Sequence, residues 1–139
     1  MAPKKIPTRE VPRNEYGGRL KNALERLAVM EEVLAGGHED PALVLAVQAV
    51  IAASDALAIY HLGERSAAGD HQDAISVFSR LPSLPQIDQA RTHLSRVLDH
   101  KSEVEYSGRA LRKKDVESIV DHARRFVAYA RKRLPAPSK

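Results

Sequence analysis

The sequence predicts an all-α protein, an up-and-down bundle of four to five helices. Beyond Arg13, apolar residues recur at intervals of three and four, the spacing of a helix that buries one face. No stretch keeps up the alternation of a half-buried strand, and only six of 139 residues are aromatic. One segment, Ala42 to Leu62, is apolar nearly all round, as expected of a central helix enclosed by the others.

The first helix is expected from about Asn14 to Ala35. Leu20, Leu24, Leu27 and Leu34 form its stripe, Gly17-Gly18 weakens its first turns, and Gly36-Gly37 stops it. For the second, Asp40 reads as the N-cap and Pro41 as the first helical residue. Asp55 is then a carboxylate inside an apolar helix, where an unpaired charge is costly, so a hydrogen-bond partner is expected. Ser54, His61 and Arg65 fall on another face of this helix, at spacings of seven and four, with Arg65 near its end. Gly69 breaks the chain and Asp70 caps a third helix to about Leu81, with Ile75, Phe78 and Leu81 inward. Pro82 and Pro85 precede a fourth, running from Pro85 or Gln86 to Tyr106-Ser107-Gly108. A fifth, Lys113 to Leu134, turns Val116, Ile119, Val120, Ala123, Val127, Ala130 and Leu134 to the core.

This pattern makes residues 14–134 one helical domain, preceded by a flexible basic segment, residues 1–13, and followed by a short tail, residues 135–139. The chain has no cysteine, which excludes disulfides, thiolate metal sites and cysteine nucleophiles and fits a cytoplasmic protein. Residues 1–13 contain no apolar run of signal-peptide length. The Ala42–Ala53 run falls short of the ~20 residues that span a bilayer, so no membrane association is expected.

The net charge of +4 is unevenly spread: residues 1–13 carry +3, residues 14–108 carry −6 and residues 109–139 carry +7. Basic ends around an acidic middle point to an anionic partner, nucleic acid first, because cations near phosphates gain affinity by releasing counterions. Arg109, Arg112, Lys113 and Lys114 cluster ahead of the last helix, whose outer surface adds Arg124 and Arg131; these are the candidate RNA-binding residues.

The richest polar stretch is Ile59 to His71. Cleavage of RNA without a metal needs a base for the 2′-hydroxyl proton and a cation for charge growing on the phosphate, roles that His and Arg fill. Arg65 and His71 are the candidate pair, with Asp70 placed to orient the imidazole. His93 and His100 lie seven apart, not at the four-residue spacing of helical metal ligands, and no carboxylate completes a set; no metal and no cofactor are expected. Both read as surface residues, and His122, between Asp121 and Arg124, takes no special role. A phosphate-cradling glycine loop and a serine nucleophile elbow are absent, which excludes P-loop nucleotide hydrolysis.

Three segments in order resemble the HEPN superfamily of small all-helical domains: Ala52-Ala53-Ser54-Asp55-Ala56-Leu57-Ala58-Ile59, then Gly69-Asp70-His71-Gln72-Asp73-Ala74-Ile75, then Glu105-Tyr106-Ser107-Gly108-Arg109 with Lys114-Asp115-Val116-Glu117 and Arg124-Arg125-Phe126-Val127. The resemblance implies a helical bundle, often a homodimer. It also implies a metal-independent ribonuclease of toxin or defence type, with RNA as partner and an antitoxin of nucleotidyltransferase type as a second. The family's signature is Arg, four to six residues, then His, and Arg65 and His71 have that spacing. Other members only bind RNA or a partner, so the alternative is a non-catalytic helical module for dimerisation or protein interaction.

Overall fold

The computed structural model describes residues 8–66, 71–100 and 111–136, and the side chains of residues 71–73 are not among those described. The architecture is all-α: helices α1 (Tyr16–Ala35), α2 (Glu39–Leu62), α3 (His71–Phe78), α4 (Ile87–Asp99) and α5 (Lys113–Arg133), with a single 3-10 turn at Arg13–Glu15. A small antiparallel ribbon joins β1 (Thr8–Glu10) to β2 (Glu64–Ser66).

α2 is the axis. It packs along α1 over most of its length and also touches α3, α4 and α5. Fourteen of its residues are buried, seven of them alanine, which lets neighbouring backbones come close. Among the described residues it is the one helix long and apolar enough to cross a membrane, and 78% of its apolar window is covered by the rest of the bundle. Around it, Leu20 and Met30 of α1, Phe78 of α3, Leu94 and Leu98 of α4, and Ile119 and Phe126 of α5 are fully enclosed. Phe78 and Phe126 meet with centroids 5.6 Å apart.

Every inward residue predicted for α5 is buried, and the helix spans the expected range. Other boundaries move. α1 begins at Tyr16 despite Gly17-Gly18, held by the preceding 3-10 turn and by the Tyr16 hydroxyl, which donates to the Pro135 carbonyl (3.2 Å). At α2 the cap is His38 and not Asp40. Glu39 and Asp40 occupy the first turn, where carboxylates suit the helix dipole, and Pro41 costs nothing there because first-turn N–H groups have no intrahelical acceptor.

α2 also stops earlier than a continuous Ser54–His61–Arg65 face requires. Gly63 takes a left-handed conformation (φ 70°) and its N–H closes on the Ile59 carbonyl, so Arg65 leaves the helix and enters β2. β1 and β2 were not predicted, since three residues are too few to show an alternation. The ladder continues through Val11 N–H to the Gly63 carbonyl (2.9 Å) and ties part of the basic N-terminal segment to the end of α2. α3 ends at Phe78, short of Leu81, because after Ser79 the bonding tightens to three-residue turns, Arg80 N–H to the Val77 carbonyl (3.0 Å) and Leu81 N–H to the Phe78 carbonyl (3.1 Å). α4 ends at Asp99, where the His100 N–H closes on the Val97 carbonyl (3.2 Å), well short of the predicted end at 106–108; Val104, Asp70 and Arg109 lie outside the described residues.

Candidate functional site

Arg65 lies on β2, in register with Arg9 of β1, and lines a cleft of about 540 Å³ with Arg19, Lys21 and Asn22 of α1. Glu15 and Glu25 line it as well. Cross-strand partners share a face of the ribbon, so the register sets two guanidinium-bearing residues opposite one another, which is unfavourable unless an anion lies between or beside them.

Behind the cleft sits the carboxylate foreseen inside α2. Asp55, 7% exposed, accepts a hydrogen bond from Arg19 Nη2 at 2.8 Å. Burial pushes its carboxyl above the ordinary range, and the Arg19 charge and hydrogen bond, with a smaller contribution from Arg65, oppose that rise. Asp55 thus fixes Arg19, and Arg19 faces the cleft that Arg65 enters. Sequence spacing gave Asp55 a partner without naming it. The signal was available: a cation on the facing stripe of α1. Arg9 left no such signal, because its place depends on the β1–β2 register.

β2 is held from both sides. Glu64 pairs with Arg80 beyond α3, and Thr8 donates to Glu64 (3.3 Å). Beside it, Arg13 lies over the Tyr60 ring at 4.0 Å, and Tyr60 meets Tyr16 and His61 edge-on. His61 is half-buried; burial, and to a lesser degree Arg13, lowers its pKa, and its Nε2 has no hydrogen-bond partner among the described residues. His71 opens α3, six residues after Arg65.

Of the candidates whose side chains are described, Arg65 alone lines this cleft. Arg112, Lys113 and Lys114 are exposed at the start of α5, whereas Arg131 is exposed in its last turn, about 25 Å away along a helix rising 1.5 Å per residue. Arg124 is engaged by Glu31 of α1 through two hydrogen bonds, Nε at 2.7 Å and Nη2 at 2.6 Å. That pairing holds the Glu31 carboxyl below its usual range and raises Arg124 further.

The histidines outside the hairpin give the clearest correction. His93, expected on the surface, and His122, given no special role, are half-buried and face each other across α4 and α5, their Nδ1 atoms 2.8 Å apart. They stand 29 positions apart, and periodicity on each helix says nothing about which residue of the other it meets. No cluster of three or more potential metal ligands occurs among the described residues.

A family model for the HEPN domain matches residues 16–133, from the first residue of α1 to the last of α5. The chain belongs to the HEPN domain family. The all-α bundle agrees with that membership. No curated protein and no solved structure matches the chain.

Proposed function

We propose that this HEPN protein is directed at RNA and cleaves it without a metal, at a site built on β2 and the start of α3. The observation that carries this reading is the placement of Arg65 in a cleft with Arg19, opposite Arg9, on the strand that leads to His71. Arg65 and Arg19 bind the phosphate and offset charge developing on its oxygens. His71 takes the 2′-hydroxyl proton or returns one to the leaving oxygen, and Asp70 orients it. A homodimer supplies two such sites. Arg112, Lys113, Lys114 and Arg131, spread along α5, track the RNA backbone with little preference for sequence.

The test is cleavage of labelled RNA by the purified protein with EDTA present. His71→Ala and Arg65→Ala each reduce the rate by about 100-fold or more; cleavage at the wild-type rate in either variant overturns the assignment. One observation favours the non-catalytic alternative, an open groove of about 440 Å³ between α1 and α5 lined by Leu24, Leu27 and Val127. RNA that remains intact while the protein dimerises, or captures a nucleotidyltransferase-type antitoxin, through this groove decides for that reading.

A further inference from the structure

The face formed by α4 and α5 carries a second cleft, of about 270 Å³, away from Arg65. Arg125, Lys132, Arg133, Tyr129, Gln86 and His93 line it, and no carboxylate does so among the described residues. Its charge balance therefore differs from that of the Arg65 cleft, where Glu15 and Glu25 stand among the cations. Its framework is braced: Tyr129 hydroxyl (3.0 Å) and Arg133 Nη2 (3.3 Å) both donate to the Pro85 carbonyl, and the Arg133 guanidinium lies 5.0 Å from the Tyr129 ring centre. Three cations line the cleft, Arg125 with its Nε on Asp121 (2.8 Å) outside that lining, and their surplus favours an anion; a small volume favours a phosphate group over a duplex.

His93 brings a second property to this cleft. Its ring and that of His122 have centroids 5.1 Å apart, farther than their Nδ1 atoms by about two ring radii, so the rings meet end to end. That is the alignment of an N–H···N hydrogen bond; in a metal chelate the two lone pairs would instead converge on a third point. When both rings are neutral, one donates through Nδ1 and the other accepts. A proton from solvent can add to Nε2 of the donor ring without breaking the bond, whereas a second proton would make both Nδ1 atoms donors and separate the rings.

We propose that this cleft binds a phosphomonoester, with Arg125, Lys132 and Arg133 supplying the positive field and the His93–His122 pair taking up one proton as the dianion arrives. Among the described residues, the charged and titratable groups facing the pair are Asp121 and Arg125 from α5 and Arg96 and His100 from α4. Burial above all holds both imidazoles below their ordinary pKa; at His93 the His122 and Arg125 charges add to it, and at His122 Asp121 opposes it more than Arg96, Arg125 or His100 singly reinforces it. Asp121 is itself engaged by Arg125 Nε at 2.8 Å. A bound dianion reverses the local balance and stabilises the protonated pair. The inference is independent of Arg65 and His71.

Sulfate is the discriminating probe, since it stays dianionic while phosphate itself titrates. Calorimetry of sulfate binding to the full chain in two buffers of different ionisation enthalpy gives proton uptake directly. Expected are saturable binding, a net uptake of protons near pH 7, and affinity that rises about threefold or more between pH 7.5 and pH 6. Arg125→Gln with Arg133→Gln weakens sulfate and phosphate binding by about tenfold or more. His93→Gln with His122→Gln abolishes proton uptake. A hexaribonucleotide with a 5′-phosphate competes with sulfate where its 5′-hydroxyl counterpart does not, if the source is an RNA end; inorganic phosphate alone competes if it is a free metabolite. Absence of saturable sulfate binding below about 10 mM, or binding unchanged in the double arginine variant, overturns the proposal. Arg65→Ala, which disables the proposed cleavage site, leaves the sulfate binding that is lost in the double arginine variant, and its proton uptake, at wild-type values, so the two readings fail separately.

Discussion

Two clefts on this bundle handle positive charge in opposite ways. Beside α1 and β2, Arg19 is held by a buried carboxylate, and acids stand among the cations of the cleft. On the α4–α5 face no carboxylate lines the cleft among the described residues, Asp121 holding Arg125 from outside it, and the half-buried polar contact is between two imidazoles whose total charge is set by pH. Asp55 confers position, because removing either partner leaves an uncompensated group in the interior. The histidine pair confers adjustability, because it can gain one proton and keep its bond. Catalytic geometry suits the first arrangement, and reversible anion binding suits the second.

The largest break in this comparison is Arg19→Met. Asp55 is then a buried carboxylate without its cation, which costs about 3 kcal/mol of stability at neutral pH, measured by urea unfolding. The pH dependence identifies the cause. A carboxyl whose folded-state pKa lies above its unfolded value is a cost that persists at high pH and disappears as pH falls through the folded value. The variant therefore regains stability relative to wild type between about pH 7 and pH 5. A constant deficit across that interval would mean that lost packing, not the orphaned charge, is responsible.

The histidine pair shows the opposite sign and a smaller size. Both imidazoles are held below their ordinary pKa in the fold, so their contribution is complete above the unfolded value and is lost as pH falls through the folded ones. Wild type is expected to lose under about 1 kcal/mol to this pair between pH 7 and pH 5.5, and His93→Asn with His122→Asn flattens that part of the profile. Saturating sulfate should reduce the loss as well, which ties the stability measurement to the anion cleft.

The smallest effect is expected at Arg124 and Glu31. Their hydrogen bonds are short and doubled, but both side chains remain about 40% exposed. Glu31→Gln should change stability by less than about 0.5 kcal/mol and free Arg124 for other anions, raising the salt sensitivity of the proposed RNA binding. An unchanged salt slope would remove Arg124 from any basic track along α5.

What the sequence revealed follows from which forces act locally. α5 was legible almost to the residue because Val116 through Leu134 repeat with helical period and its boundaries are set by the chain itself. The enclosure of α2 was legible for the same reason. The cap at His38, the exit of Arg65 into β2 and the Arg9–Arg65 register were not, since each depends on which distant segment supplies an acceptor. Asp55 stands between these cases: burial demanded a partner, but only packing of α1 on α2 selected Arg19. His93 and His122 lie at the far end of that scale, two unremarkable positions until α4 crosses α5.

The run of alanines on the axial helix carries an evolutionary corollary. Ala42, Ala46, Ala49, Ala52, Ala53, Ala56 and Ala58 are each within 2% of complete enclosure. Replacing one by a larger side chain drives a wedge between backbones, typically at a cost of about 1–3 kcal/mol. A saturation library selected for solubility should therefore show a spine nearly frozen in sequence, while both clefts on the outer rods stay free to diverge. A lineage built on this scaffold can exchange one ligand for another without renegotiating how the bundle is assembled.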